Sequence, residues 1–458
     1  MNSEFVVALV LLLMAVLLLA RMPVWLALAA SGAVGLLMLR NETFVTSSMA
    51  AASFEQAHTF SLTIIPMFIL LGVFAVRAKI AEQVFIVARR AFTRLPGGLG
   101  ISTVAACAGF AAVSGSSIGT AATMSKLSIG EMRKAGYPVS LAGALVAVAG
   151  TLGAMIPPSL FLVLYAILTG ESIARMLAAG IIPGVLSAVV YSAYILIRTQ
   201  RLAKVPAAAG GGGAKLVDDL SGGIDEEITR SRAAQDSDPL PWRGLVRLAI
   251  IFVIIMGGIY TGLFTPTESA AIGALTALAM VVLEFRGEGV RGVAFEVVEA
   301  LKETAKTTSM VFAIIVSSAL LSLFFVVAQV PQSLTDSVTA LDLPDWLILA
   351  TLLAFLIPLG MALESIAILV ITVPLIYPVA MSMGFDGIWL GIMIVKLIEI
   401  GMVTPPVGIN CFVVAGTARV SVVEVFRGVW PFVVLEIGIL ILFFAFPEIV
   451  LWLPSMVD

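Results

Sequence analysis

Apolar runs of membrane-spanning length recur along this chain. The first extends from Phe5 to Ala20 without a charged residue, and others follow through the C-terminal half. A helix needs about 20 predominantly apolar residues to cross the hydrocarbon core of a bilayer. Backbone amides find no water there, so these runs predict helices that satisfy their own hydrogen bonds. At that length the apolar segments would fill about ten or more spans.

The overall composition excludes a soluble globular protein. Of the 458 residues, 60% are hydrophobic and 12% are charged, whereas soluble domains average about 45–50% apolar and about 25% charged residues. We therefore predict an all-α integral membrane protein. The two cysteines, Cys107 and Cys411, are isolated in apolar runs, and the only histidine is His58. Their spacing predicts neither a disulfide framework nor a zinc site.

Basic residues divide the loops between the two sides of the membrane. Arg21 follows the first apolar run, and the segments 77–94 and 126–134 are rich in Lys and Arg. Positively charged loops face the cytoplasm, so these segments are predicted to be cytoplasmic and the N-terminus periplasmic. No Lys or Arg occurs between Thr307 and Val395, so that region is expected to reach only the opposite side.

The hydrophilic stretch 199–243 contains "AAAGGGGAK" and "DDLSGGIDEE" and carries six basic and seven acidic residues. This composition predicts a flexible cytoplasmic linker. A regulatory or docking loop is the alternative to a plain spacer.

The two halves of the chain carry matching helix breakers. Residues 136–183 align with 384–431 without a gap, and eight positions coincide, seven of them Gly or Pro. Basic residues precede the first copy, whereas the segment without Lys or Arg precedes the second. The copies are therefore predicted to have opposite topology. Inverted repeats with interrupted helices are typical of secondary transporters, which bind substrate at the repeat interface.

Each copy contains a proline doublet inside an apolar run, "TLGAMIPPSL" at 151–160 and "EIGMVTPPVG" at 399–408. Proline lacks an amide donor and clashes with the carbonyl one turn earlier, so two in succession predict an unwound segment. Freed carbonyls in a membrane need protein, water or an ion as a partner. Carbonyls together with nearby hydroxyls favour a sodium ion, and a kink used for packing is the alternative.

A small-residue segment precedes each predicted broken helix. "GFAAVSGSSIGTAATM" at 109–124 has basic flanks on both sides, which predicts a re-entrant hairpin with its tip at Ser114–Ser117. A Gly/Ser-rich packing seam is the alternative. The matching segment "IPLGMALESIAILV" at 357–370 predicts a hairpin entering from the other side, with its tip between Gly360 and Ser365.

Four charged residues lie inside apolar sequence. Glu364 takes the repeat position of Ser116 and is the preferred functional candidate, because an ionisable group at membrane depth is a functional hypothesis by default. Glu268, Lys396 and Glu399 are also embedded in apolar sequence. Lys396 and Glu399 are three residues apart, and a pair between them is the simplest interpretation.

Five motifs together resemble the large membrane subunit of tripartite ATP-independent periplasmic (TRAP) transporters, the DctM-like family. They are "IPMFILLGVFA" (65–75), "SGSSIGTAATM", "GTLGAMIPPSL", "GGIYTGLFTPTESAAIGA" (257–274) and "TPPVGINCFV". The resemblance covers nearly the whole chain except the linker. It implies an inverted-repeat, elevator-type fold with two re-entrant hairpins and two broken helices. The implied division is N-terminal scaffold helices at 1–61, a first repeat at 62–198, the linker at 199–243, scaffold helices at 244–308 and a second repeat at 309–458.

The resemblance also implies a function. It predicts sodium-driven import of an organic acid across the bacterial inner membrane, with a small four-helix membrane subunit as a separate chain and a periplasmic binding protein as partners. No organic cofactor and no nucleic acid are expected. The implied cation- and substrate-binding residues are Ser114, Gly115, Ser116, Ser117, Thr120, Gly150, Thr151, Pro157, Pro158, Gly360, Glu364, Ser365, Gly401, Thr404, Pro405 and Pro406. Sodium is expected at Ser116, Thr151, Glu364 and Thr404.

A stand-alone sodium/carboxylate symporter of the same architecture is the alternative function. A membrane-embedded enzyme is disfavoured, because the sequence holds no HExxH motif, nucleophile elbow or paired buried carboxylates. An ATP-driven pump is disfavoured by the absence of a GxxxxGK[ST] motif.

Overall fold

Where the structure describes the chain, its regular structure is helical, as expected where backbone groups must satisfy one another inside a bilayer. The computed structural model describes residues 3–203, 242–339 and 343–457. The predicted linker at 199–243 falls largely outside these ranges. Six of the described helices are long and apolar enough to cross a membrane, or seven if one bent pair forms a single span. This count leaves out five apolar helices of 10–17 residues and takes the 62-residue stretch Pro266–Val327 as one span, so the estimate of ten or more spans stays a prediction.

Three helices precede the first repeat. Val24–Leu39 packs against the long helix Gly289–Val327, and a Cβ added at Gly32 would lie 2.8 Å from the backbone nitrogen of Leu321. Only glycine allows this approach, so the two helices are held together backbone to backbone. The bounds of the three helices are Ser3–Leu19, Val24–Leu39 and Glu42–His58.

The first half contains a scaffold helix, a short amphipathic helix, a hairpin and a broken helix in that order. We call Gly98–Ser114 with Ser117–Lys134 hairpin 1, and Val139–Met155 with Leu160–Thr169 broken helix 1. The α-helices of this half are Ile64–Arg77, Ile80–Phe92, Gly98–Ser114, Ser117–Lys134, Val139–Gly150, Leu152–Met155, Leu160–Thr169 and Ile173–Ala203.

The second half repeats this order after an intervening scaffold segment. We call Asp345–Ala362 with Ser365–Ser382 hairpin 2, and Gly387–Val403 with Ile409–Ala418 broken helix 2. The α-helices of this part are Trp242–Phe252, Gly258–Tyr260, Pro266–Phe285, Gly289–Val327, Val330–Thr339, Asp345–Ala354, Leu356–Ala362, Ser365–Ser382, Gly387–Val403, Ile409–Ala418, Val422–Ala445 and Glu448–Leu451. The predicted boundary between the scaffold helices and the second repeat, at 308–309, lies inside the continuous helix Gly289–Val327.

Backbone conformation repeats along with the helix order. Gly136 and Gly384, which are repeat equivalents, both have φ of +80°. Lys79 and Gln329 are both left-handed, with φ of 56° and 57°, at the bend between a scaffold helix and a short helix. Both proline doublets contain a cis prolyl bond. The duplication seen in the Gly and Pro positions is therefore a duplication of structure.

The two broken helices form the centre of the molecule. All 17 residues of Gly387–Val403 are buried, as are ten of the twelve residues of Val139–Gly150. Hairpin 1 packs on broken helix 1, and hairpin 2 packs on broken helix 2. The predicted fold class, an all-α membrane protein with two hairpins and two broken helices, is confirmed.

Candidate functional site

The tip of hairpin 1 lies where the sequence predicts it. Gly115 ends the first arm in the left-handed conformation, with φ of 56°, and Ser116 is extended. Ser116 caps the second arm by accepting a hydrogen bond from the Gly119 amide at 3.2 Å. The hydroxyls of Ser114 and Thr120 are hydrogen-bonded at 2.7 Å. Small residues let the chain reverse here within two residues.

This tip touches the break in broken helix 1 through backbone atoms. A Cβ added at Gly115 would lie 2.9 Å from the carbonyl oxygen of Pro158. A Cβ added at Gly153 would lie 2.8 Å from the carbonyl oxygen of Ser116. Any side chain at either glycine would push the two elements apart. Main-chain oxygens from the tip and from the break are therefore brought to one place.

Broken helix 1 is interrupted at the proline doublet, as predicted. Its first part ends at Met155, its second begins at Leu160, and the two are bent by 41°. The Ser159 hydroxyl donates to the carbonyl of Ala154, and its oxygen accepts from the Leu162 amide. The Thr151 hydroxyl donates to the Val148 carbonyl at 2.7 Å. Both hydroxyl protons are thus committed, which leaves oxygen lone pairs free to accept.

Hairpin 2 reverses at Leu363 and Glu364, within the predicted range. Glu364 is the residue before the arm Ser365–Ser382, just as its repeat equivalent Ser116 precedes the arm Ser117–Lys134. The Ser365 hydroxyl donates to the sulfur of Met402 on broken helix 2. A Cβ added at Gly401 would lie 2.6 Å from the Cα of Gly360, so hairpin 2 also meets its broken helix without intervening side chains.

Broken helix 2 is interrupted between Val403 and Ile409. The Thr404 hydroxyl donates to the Ile400 carbonyl at 2.6 Å, which parallels the arrangement at Thr151. Pro405 is partly buried and Pro406 is exposed. The second break therefore faces the surface of the isolated chain, whereas the first break is enclosed.

A cavity of about 290 Å³ lies between the two hairpin tips. Of the predicted site residues, five line it and eleven do not. The five lining residues are Ser114, Gly115, Ser116, Pro158 and Glu364. The residues outside the lining are Ser117, Thr120, Gly150, Thr151, Pro157, Gly360, Ser365, Gly401, Thr404, Pro405 and Pro406. The cavity lining contains no Lys or Arg.

Scaffold residues, which the sequence analysis did not identify, form the opposite wall. Phe68 and Gly72 on Ile64–Arg77 line the cavity, as do Glu303 and Thr307 on Gly289–Val327. A Cβ added at Gly72 would lie 2.8 Å from the carbonyl oxygen of Ser114. The scaffold thus contacts the tip of hairpin 1 directly. The only sequence feature in this wall is the motif at 65–75. It supports the family resemblance but does not predict that these residues line a cavity.

A basic group lies one contact away from the cavity. Arg77 pairs with Glu296 at 2.6 Å and with the lining residue Glu303 at 3.3 Å. Arg77 belongs to the basic segment 77–94.

Two predictions about embedded charges are wrong. Glu268 is exposed and forms a capping box with Thr265 at the start of Pro266–Phe285. Its surroundings in sequence are apolar, but the helix end at which it sits is not enclosed. Lys396 does not pair with Glu399. Its ammonium group instead donates to Glu436 and to Ser187, at 2.6 Å for the latter, because these groups on neighbouring helices face it in the core.

Comparisons with known proteins identify relatives of this chain. The profile of the family described as "Tripartite ATP-independent periplasmic transporter, DctM component" matches residues 11–449. The C4-dicarboxylate TRAP transporter large permease protein DctM of Pseudomonas aeruginosa is 33% identical, over 93% of each chain. The ectoine/5-hydroxyectoine TRAP transporter large permease protein UehC of Ruegeria pomeroyi is 32% identical, over 98% of this chain and 99% of that one.

A solved structure shares the fold. The crystal structure of the YdaH transporter of Alcanivorax borkumensis superposes with a TM-score of 0.60, covering 89% of this chain and 88% of that one at 14% identity. At that identity the likeness concerns the fold alone.

Proposed function

The chain belongs to the family of DctM components of tripartite ATP-independent periplasmic transporters, and from this premise we propose that it imports an organic acid by sodium-coupled, elevator-type transport. Its relatives are transporter permease subunits, so the chain is a transport protein and not an enzyme. It is a multi-pass membrane protein of the inner membrane that works with a small membrane subunit and a periplasmic binding protein. The cavity shared by the two hairpin tips is the observation on which the proposal depends.

Sodium coupling is supported by the chemistry of the two breaks. Each break brings carbonyl oxygens and a hydroxyl whose proton is already committed to a main-chain carbonyl, Thr151 in one half and Thr404 in the other. Groups of this kind can accept a hard cation but cannot donate to an anion. In transporters with interrupted helices, unwound carbonyls and helix ends coordinate the coupling ion. We assign one sodium to Ser116 and Thr151 and another to Glu364 and Thr404.

An organic acid suits the cavity for two reasons. The arms Ser117–Lys134 and Ser365–Ser382, each of 18 residues, begin at the cavity, and the N-terminal end of a helix attracts anions. The volume of about 290 Å³ fits a small metabolite. The carboxylate of Glu364 would repel an anionic substrate, and a bound sodium removes that repulsion. Ion binding therefore favours substrate binding, which is the basis of symport.

The position of the cavity supports an elevator mechanism. The two hairpins and broken helix 1 form one wall, and the helices Ile64–Arg77 and Gly289–Val327 form the other. A substrate held between the tips would cross the membrane if the first group moved as a body along the second. Glu303 lines the cavity and pairs with Arg77 of the segment predicted to be cytoplasmic, so we interpret this state as open toward the cytoplasm.

The relatives also guide the proposal about partners. We propose that the small subunit is a separate four-helix chain and that the N-terminus faces the periplasm. The DctM relative in Pseudomonas aeruginosa is named for C4-dicarboxylates, and UehC is named for ectoine. Small carboxylates of this size are the first substrates to test.

The experiment is uptake into proteoliposomes that contain the chain and its small subunit, with binding protein added outside. Radiolabelled substrate, chosen by its affinity for the binding protein, should accumulate with an inward sodium gradient and should not when potassium replaces sodium. Equal uptake in potassium would exclude sodium coupling. Omitting the binding protein should abolish uptake, whereas undiminished uptake would favour the stand-alone symporter.

A further inference from the structure

A buried polar cluster lies behind the tip of hairpin 1, outside the cavity. Lys396 donates to Ser187 and Glu436, and Glu436 also accepts a hydrogen bond from Tyr191. These groups come from Gly387–Val403, Ile173–Ala203 and Val422–Ala445. The ammonium and the carboxylate of this group form an ion pair that carries no net charge.

Glu399 is the unbalanced member of this cluster. It is one turn beyond Lys396 on broken helix 2 and is 3% exposed. Neither of its carboxylate oxygens has a hydrogen-bond partner among the described residues. Burying an ionised carboxylate without a partner costs several kcal/mol, and the ammonium group of Lys396 is committed to Glu436. The surroundings of Glu399 therefore lack one positive charge.

A second unpartnered oxygen lies beside Glu399. The hydroxyl of Ser117, in the first turn of the second arm of hairpin 1, is adjacent to the Glu399 carboxylate. Ser117 is completely buried, and its oxygen has no hydrogen-bond partner in the described part of the chain. Two groups from opposite halves of the molecule therefore lie next to each other.

The repeat adds a third oxygen. Glu399 is the repeat equivalent of Thr151, since the two are separated by the same 248 positions as the proline doublets. Tyr191 lies close to both Thr151 and Glu399. Equivalent positions of the two broken helices therefore meet near one side chain, one with a hydroxyl and the other with a carboxylate.

We propose that the Glu399 carboxylate and the Ser117 hydroxyl are ligands of a buried monovalent cation held between the two halves of the transport core, with Thr151 on the same side. One added positive charge makes the net charge of the cluster zero, whereas a divalent ion would leave the cluster with a net positive charge. Hard oxygen ligands suit sodium. The identity of the ion rests on the proposed sodium coupling, and a proton on Glu399 is the other way to remove the uncompensated charge; the sodium titration below distinguishes the two. The site would link the halves only when the ion is bound.

Thermal unfolding of the purified full chain tests this proposal, with sodium chloride titrated against choline chloride at constant ionic strength. A ligand that binds only the folded state raises the melting temperature with its concentration. The wild-type protein should show this rise. Glu399→Gln should show a smaller rise, because only the two sodium sites proposed at the breaks remain, and its melting temperature without sodium should equal or exceed the wild-type value, because the uncompensated charge is gone.

A pair of serine variants tests the site even if Glu399→Gln does not fold. Ser117→Ala should raise the apparent dissociation constant for sodium about tenfold or more. Ser128→Ala is the matched control, since Ser128 is equally buried on the same helix and its hydroxyl donates to the Met124 carbonyl at 2.7 Å. It should leave the sodium response unchanged.

The outcomes separate this site from the proposed function. A sodium response in Glu399→Gln that is as large as the wild-type response, or equal responses in the two serine variants, would overturn the site and leave the sodium sites at the breaks intact. The absence of any wild-type response would overturn both proposals.

Discussion

A methyl group added at Gly401 should separate hairpin 2 from broken helix 2. The Cβ of Ala at this position would lie 2.6 Å from the Cα of Gly360 and 2.7 Å from the carbonyl oxygen of Ile357. Carbon atoms in contact prefer about 3.5–4.0 Å, so the two elements must move apart by roughly 1 Å. Both neighbours are backbone, and no side chain can rotate away to make room.

The cost of this separation is that of an overpacked core. Such insertions typically cost about 1–3 kcal/mol, and replacing glycine inside a helix returns up to about 1 kcal/mol of propensity. A net cost of about 1–2 kcal/mol lowers the population of the closed hairpin about 5- to 30-fold. Transport should fall by a similar factor, because substrate and sodium bind where the hairpin tip and the break meet.

Sodium-driven uptake into proteoliposomes measures this effect, with equal amounts of folded protein confirmed by gel filtration. Gly416→Ala is the control, because Gly416 lies on the second part of the same broken helix and a Cβ there meets nothing within 4 Å. It should transport at the wild-type rate. Equal uptake by the two variants would refute the conclusion that backbone contact between Gly360 and Gly401 holds the site closed.

Three further substitutions give distinct results. Gly72→Ala places a Cβ 2.8 Å from the Ser114 carbonyl oxygen, where the scaffold meets hairpin 1; uptake should fall at least about tenfold while the sodium-dependent rise in melting temperature remains. Glu364→Gln removes the carboxylate from the cavity, and half-maximal uptake should require about tenfold more sodium or more. Lys396→Met leaves Glu436 buried without its partner and should destabilise the protein by about 3–5 kcal/mol, measured by unfolding in detergent.

Each of these variants has a control and a contradicting outcome. Gly438→Ala is the control for Gly72→Ala and should not affect uptake, because a Cβ at Gly438 meets nothing within 4 Å. A loss of sodium-dependent stabilisation in Gly72→Ala would contradict the view that this substitution impairs only the movement of hairpin 1 along the scaffold. Exposed Glu268→Gln should not change the sodium requirement, and an unchanged requirement in Glu364→Gln would remove Glu364 from the ion site. Exposed Lys134→Met should leave stability unchanged, and equal stability of Lys396→Met would contradict a structural ion pair.

The breaks and tips were predictable because their causes are local. Prolines at 157–158 and 405–406 interrupt a helix wherever it packs, and the small polar residues at 114–117 allow a reversal without long-range help. The repeat makes Glu364 the equivalent of Ser116, and this correspondence predicts that both residues stand at the start of a hairpin arm. For these features, the chemistry of a few neighbouring residues determines the structure.

The contacts of the charged and scaffold residues were not predictable in the same way. Lys396 pairs with Glu436, 40 residues away in sequence, because helix packing brings the two together. Glu303 and Phe68 line one cavity although they are more than 200 residues apart, and no sequence pattern predicts that they come together. Glu268 is different, since the Thr265–Glu268 spacing is a recognised capping pattern. That signal was present in the sequence and would have identified Glu268 as a helix cap.

The proposed transport mechanism requires the two halves to have opposite orientations in the membrane. Cysteine accessibility measures these orientations directly. Lys134 and Ser382 are repeat equivalents and both are exposed, whereas Cys107 and Cys411 are buried. In spheroplasts, a membrane-impermeant maleimide should label Ser382→Cys and should label Lys134→Cys only after the membrane is permeabilised. Labelling of both variants from the same side would contradict inverted repeats and, with them, the proposed transport mechanism.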